Sequence, residues 1–159
     1  MARIRIITVG KLKESYLFQA QAEYGKRLKP YLTLEIVEVG DFSSADGASP
    51  AQEEQVKIRE SAAIKNLLQP REYLVALDRK GKEFSSLEFA EFLNQRAIVS
   101  DPVTFVIGGS LGLSDELIKN AQLNWSFSKL TFPHQLFRVM LLEQIYRAVK
   151  INRGEPYHK

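Results

Sequence analysis

Three groups of residues have types and spacings suited to chemistry, and all lie in the last third of this 159-residue chain. The first is Gly108, Gly109 and Gly112, which follow the run Val103–Ile107. Glycines at the end of a buried strand let backbone N–H groups approach a ligand closely. Their spacing is not G-x-G-x-x-G, and no Gly-Lys-Ser/Thr follows, so the dinucleotide and P-loop signatures are excluded. A tight structural turn fits them as well as a site does. The second group runs from Ser126 to His134. Here Phe127, Leu130 and Phe132 can wall an apolar slot while the backbone supplies polar contacts, which suits a flat heteroaromatic ligand such as adenine; the same side chains can also plug a core. His134, just after Pro133, reads as a neutral capping or packing histidine. The third group is Glu143, Arg147 and Lys150, whose spacings of four and three put them on one narrow helix face, together with the ending Arg153, Gly154, Glu155, Pro156, Tyr157, His158, Lys159. A Glu–Arg i,i+4 pair is an ordinary surface feature, and chain ends are often frayed. This end carries an aromatic ring, one of two histidines and a terminal cation, groups that can stack on a base and grip a phosphate.

Composition narrows the possibilities. With 45% apolar and 26% charged residues the chain reads as one globular domain over 1–159. No apolar run approaches the roughly 18 to 20 residues of a membrane span, and the first ten residues lack a signal-peptide pattern, so a soluble cytoplasmic protein is expected. Zero cysteines exclude disulfides and thiolate chemistry, and two histidines, His134 and His158, do not complete a zinc site; no metal is expected. The net charge of +3 hides an asymmetry: residues 119–159 hold seven Lys and Arg against Glu143 and Glu155. That segment favours a polyanion such as nucleic acid.

The elements that must position these groups alternate. Strands are expected at 3–9, 32–39, 73–77, 103–107 and 125–127, from β-branched or uninterrupted apolar runs. Helices are expected at 14–29, where Tyr16, Ala20, Tyr24 and Leu28 recur every four residues before Pro30, at 51–68 with Val56, Ile64 and Leu67 inward, and at 115–122. A fourth helix at 86–98 is marked by the capping box Ser85 to Glu88, and a last one is opened by Pro133 and runs to 152. The stretch 40–50, rich in Ser, Asp and Gly, reads as a mobile loop. Alternation of this kind predicts an α/β domain with a mostly parallel sheet. The last helix is apolar on more than one stripe, which predicts burial by its own core and by a second subunit.

Taken together, Val9-Gly10-Lys11, Leu77-Asp78, Gly81-Lys82, Val106-Ile107-Gly108-Gly109, the stretch 126–134, Arg138, 143–148 and Pro156-Tyr157-His158-Lys159 resemble the RlmH family, the ribosomal RNA large-subunit methyltransferases H of the SPOUT superfamily. The resemblance covers essentially the whole chain. It implies a SPOUT-type α/β fold with a C-terminal trefoil knot, a rare exception to unknotted topology, a cofactor and knot region at about 103–159, and a homodimer. It further implies S-adenosylmethionine held by Leu77, Gly108, Phe127, Ser128, Lys129, Leu130, Thr131 and Phe132. The implied substrate is a pseudouridine in the helix 69 loop of 23S rRNA in the assembled ribosome, methylated at N3. Glu143, Arg147, Tyr157, His158 and Lys159 match positions tied to substrate binding and activity. Leu111 departs from the polar residue more usual in that glycine turn. For such a reaction a neutral His158 is the candidate base, or a cationic Arg or Lys stabilises the developing anion, with Tyr157 and His158 reaching the partner's cofactor pocket. The competing readings are a SPOUT enzyme acting on tRNA and a non-catalytic RNA-binding protein.

Overall fold

Val103–Ile107 is buried along its whole length, because it is a strand in the interior of a sheet covered on both faces. The computed structural model describes residues 1–42, 46–99 and 101–159; Ser43 and Ser44 of the loop expected to be mobile lie outside the described residues. The elements are β1 (Ala2–Val9), α1 (Ser15–Leu28), β2 (Leu32–Val39), α2 (Pro50–Lys65), β3 (Tyr73–Glu83), α3 (Ser86–Val99), β4 (Val103–Ile107), α4 (Asp115–Asn120), β5 (Leu123–Ser126) and α5 (His134–Asn152). All strands pair in parallel, in the order β2-β1-β4-β3-β5. Their carboxyl ends therefore share one edge of the sheet.

Alternate residues of the strands feed two cores. On one face Ile4, Ile6, Phe105, Val75 and Trp125 pack with Leu28 of α1, Phe89 and Leu93 of α3, and Leu141, Leu142 and Ile145 of α5. On the other, Ile7, Val9, Leu74 and Val106 meet Ile64 of α2 and Leu117 of α4. The capping box before α3 is present: Glu88 N donates to Ser85 Oγ at 3.1 Å and Ser85 N to Glu88 Oε2 at 2.7 Å.

Several details differ from the sequence reading. Tyr16 is 66% exposed and Leu17 is buried in its place, so the inward face of α1 is rotated. Strand β5 starts two residues earlier than expected. Strand β3 continues past Leu77 to Glu83, with a register shift between Leu77 and Lys82 opposite Trp125. Gly81 is what permits this: a Cβ there would stand 2.6 Å from the Asn124 backbone. Helix α5 packs against both α1 and α3 through Leu141, Leu142 and Ile145, while Leu136 stays 40% exposed and Val139 and Met140 are half-buried.

Candidate active site

Leu77, Gly108 and Phe127 are far apart in sequence, yet Gly108 and Phe127 directly follow β4 and β5, and Leu77 stands at the register shift of β3, the strand between those two in the sheet. Register places Ala76 opposite Val106 and Leu77 opposite Trp125. At about 4.8 Å per strand the three positions span roughly 10 Å across the sheet. Moreover β1 and β4 are neighbours whose crossovers leave toward opposite edges, the switch point outside which ligands of open α/β sheets bind.

The glycine turn closes on itself. Gly112 N donates to Gly109 O at 3.0 Å, Gly112 has a φ of +83°, and a Cβ on Gly108 would stand 2.6 Å from the Gly112 carbonyl carbon. Only glycine fits at Gly108. The turn then delivers Ser114, whose hydroxyl caps α4 through Leu117 N.

The 127–132 loop is pinned by Ser126 Oγ donating to Ser128 O, by Leu130 N donating to Ser128 Oγ, both at 3.0 Å, and by Arg79 reaching Thr131 Oγ1 at 2.7 Å. The three expected wall residues do not share one surface. Phe127 packs between Trp125 and Phe137, each ring 4.5 Å away, and Phe132 also turns onto Phe137, whereas Leu130 is 68% exposed. Aromatic burial held two of them inward, so the loop offers its backbone, Leu130 and Thr131 to the edge. Lys129 is exposed there as well.

Sequence reading missed Glu60. This α2 carboxyl is 3% exposed, and a Cβ at Gly109 would lie 3.3 Å from both its oxygens. Burial pushes its pKa up to about 7, against the pull of the Phe42 N–H, and a hydrogen bond with Asp41 adds to the rise. Asp41 and His134 both border Gly10 at the end of β1. Burial, foremost, lowers the His134 pKa, in keeping with its expected neutral packing role. Arg138, almost wholly buried, locks α5 to this edge: Nη1 donates to Glu38 at 2.8 Å and Nη2 to Gly10 O at 3.1 Å.

The C-terminal residues form a second cluster. Arg147 pairs with Glu143 at 2.7 Å, and Tyr157 donates to the same Glu143 oxygen at 3.0 Å. The Arg147 guanidinium also lies 4.8 Å from the Tyr157 ring centre. Its Nη1 is 3.2 Å from His158 Nδ1. A guanidinium only donates, so Nδ1 is the accepting nitrogen and the ring proton sits on Nε2. The lone pair expected to act as a base is thus engaged. Partial burial, then the bond to Glu143, pushes the Tyr157 pKa up to about 12, so its phenol stays protonated. Lys150 points elsewhere, to Glu155 and Tyr31. Lys159 is exposed and makes no hydrogen bond or ion pair among the described residues.

Within one chain the two clusters do not meet. Helix α5 starts at the carboxyl edge with His134 and carries Arg147 thirteen residues on, roughly 20 Å along its axis. A cleft of about 620 Å³ lies between α2, α4 and the start of β3, and another of about 380 Å³ at the amino ends of β1 and β4; neither includes Leu77, Gly108 or the 127–132 loop. Among the described residues no group of three metal-ligating side chains is present, and no helix is long and apolar enough to cross a membrane.

Comparisons with known proteins identify the family and the fold. A family model described as "Predicted SPOUT methyltransferase" matches residues 2–158. The chain is 49% identical over 160 residues, all of both chains, to a protein of Desulfitobacterium hafniense called ribosomal RNA large subunit methyltransferase H. It is 51% identical over 157 residues to one of that name from Clostridium acetobutylicum, covering 98% of this chain and 99% of the relative. The solved structure of a probable methylase family protein from Haemophilus influenzae superposes with a TM-score of 0.57 at 12% identity, over 99% of this chain and 71% of that one, a likeness of fold. Matched from end to end by that family model and by relatives about half identical, the chain belongs to the SPOUT methyltransferases, in the ribosomal RNA large subunit methyltransferase H family.

Proposed function

We propose that this protein transfers a methyl group from S-adenosylmethionine to N3 of a pseudouridine in the helix 69 loop of 23S rRNA, in the assembled ribosome in the cytoplasm. The observation that carries the reading is the convergence of Leu77, Gly108 and Phe127 to Phe132 on one sheet edge. The residues fit the cofactor: pinned loop backbone and Leu130 suit a nucleoside, and the Glu60–Asp41 carboxyls beside Gly109 suit a cation. Bound there, S-adenosylmethionine supplies an electrophilic methyl on a sulfonium, so the protein's task is largely to position the acceptor.

The C-terminal cluster does that positioning. Arg147, held as a cation chiefly by its bond to Glu143, and the outward Nε2–H of His158 donate to a carbonyl of the uracil-type ring and stabilise the anion left as its N3 proton passes to solvent water. Tyr157, fixed by Glu143, presents its ring. Since edge and cluster are separated within one chain, we assign the complete site to a homodimer, with one protomer's tail at the other's edge. We also place the cofactor and knot region at about 103–159 of a single domain. The test is transfer of labelled methyl from S-adenosylmethionine to ribosomes, free rRNA and tRNA in parallel, with cofactor binding by calorimetry. Methylated ribosomes are expected; label entering only tRNA, or no cofactor binding, overturns the reading.

A further inference from the structure

The 380 Å³ cleft lies at the sheet's amino edge, opposite the cofactor edge, and the catalytic reading does not use it. Its volume falls within the roughly 300–1,000 Å³ of small-ligand sites. Arg3 of β1, Arg96 of α3 and Arg153 after α5 converge on it from three elements, against one carboxylate in its lining, Asp101. None of the three arginines has a carboxylate partner within ion-pair distance among the described residues. Instead Arg96 lies 4.6 Å from the Tyr73 ring centre and Arg153 5.6 Å from that of Tyr31, which holds the planar heads in place while leaving their N–H edges free. Glu155, the carboxylate nearest in sequence to Arg153, is bound to Lys150.

The cleft is joined to the C-terminal cluster by packed rings. Tyr31 lines the cleft and meets Tyr146 edge-on at 6.5 Å, Tyr146 meets Tyr157 at 4.9 Å, and Arg147 covers Tyr157. Arg153 is six residues from Arg147, roughly 9 Å along the helix. Guanidinium groups suit phosphate because their forked donors match its oxygens. An RNA strand delivering a base to Tyr157 and Arg147 would run its backbone across this cleft.

Resting on the RNA-modifying reading above, we propose that the amino-edge cleft is a phosphate subsite, in which Arg3, Arg96 and Arg153 grip the backbone of single-stranded RNA flanking the nucleotide held by the C-terminal cluster. Its test is binding of a fluorescent single-stranded RNA oligonucleotide across a salt series. The probe is offered to the unaltered protein, to Arg3→Gln/Arg96→Gln/Arg153→Gln, and to a control, Lys65→Gln/Arg71→Gln, on the other cleft. Three lost phosphate contacts should lower the log–log salt slope by about 2 and weaken binding roughly a hundredfold at 0.1 M salt, while calorimetric S-adenosylmethionine affinity stays unchanged. Unchanged slope in the folded triple variant, an equal loss in the control, or no RNA binding by the unaltered protein overturns the subsite. If the triple variant does not fold, Arg3→Gln alone, an exposed change, should remove about 0.7 of slope. The RNA-modifying reading is judged separately, by methyl transfer from the unaltered protein: label on ribosomes with unmoved slopes would defeat the subsite alone.

Discussion

Glu60 shows how one side chain makes a site sensitive to its medium. Its carboxyl is buried against Gly109 and bonded to Asp41, and a pKa near 7 means that the folded chain keeps a proton which the unfolded chain releases near 4.5. Folding therefore binds a proton between those values, and this contribution to stability is present at low pH and lost as pH rises through about 7. Relative to Glu60→Gln, the unaltered protein should lose on the order of 3 kcal/mol between pH 4.5 and 7, read by denaturant melts. Parallel pH curves for the two proteins would refute the assignment. Little of this was legible in the sequence, because a Glu inside the polar stretch of α2 reads as solvated; its carboxyl is buried against Gly109, a residue 49 positions away. By contrast, the Glu143–Arg147 pair was legible from spacing alone. The company of Tyr157 and His158 was suggested by their types, but which atom donates to which required the folded tail.

At the scale of elements, α5 ties the molecule together. Its first turn is fastened to the carboxyl edge by Arg138, which bonds to Glu38, Gln21, Thr8 and Gly10, with its Nε left without a partner. Replacing that arginine leaves the Gly10 carbonyl and Thr8 hydroxyl unsatisfied in the interior. Arg138→Met should cost about 3 kcal/mol in chemical denaturation, whereas a loss below about 1 kcal/mol would mean that the network does not hold the helix. The sequence displayed the strands and helices well wherever apolar period and caps agreed, as in β2, β4 and α3. It concealed the second half of β3, since Arg79, Lys80 and Lys82 carry no apolar alternation, and that half forms by backbone pairing made possible at Gly81.

For the whole molecule, the separation of edge and tail cluster gives a complementation test. A chain lacking 157–159 and a chain carrying Gly108→Ala should each methylate ribosomes poorly. Co-refolded, they should recover up to a quarter of normal turnover if one tail serves the other protomer's edge, because about half the dimers are mixed and each holds one intact site. Recovery absent despite confirmed mixed dimers would place each tail at its own edge.

The strand order has a further consequence, for folding kinetics. Strand β1 lies inside the sheet, yet its neighbour β4 comes about a hundred residues later, as in the pairing of Ile4 with Val103, and Arg138 closes onto Thr8 across 130 positions. Such contacts raise contact order and slow folding. A nascent chain that has made only β1, α1 and β2 holds an apolar strand with one open side until the middle of the sheet arrives, a template for pairing with other chains. The molecule's most vulnerable moment thus falls during its own synthesis.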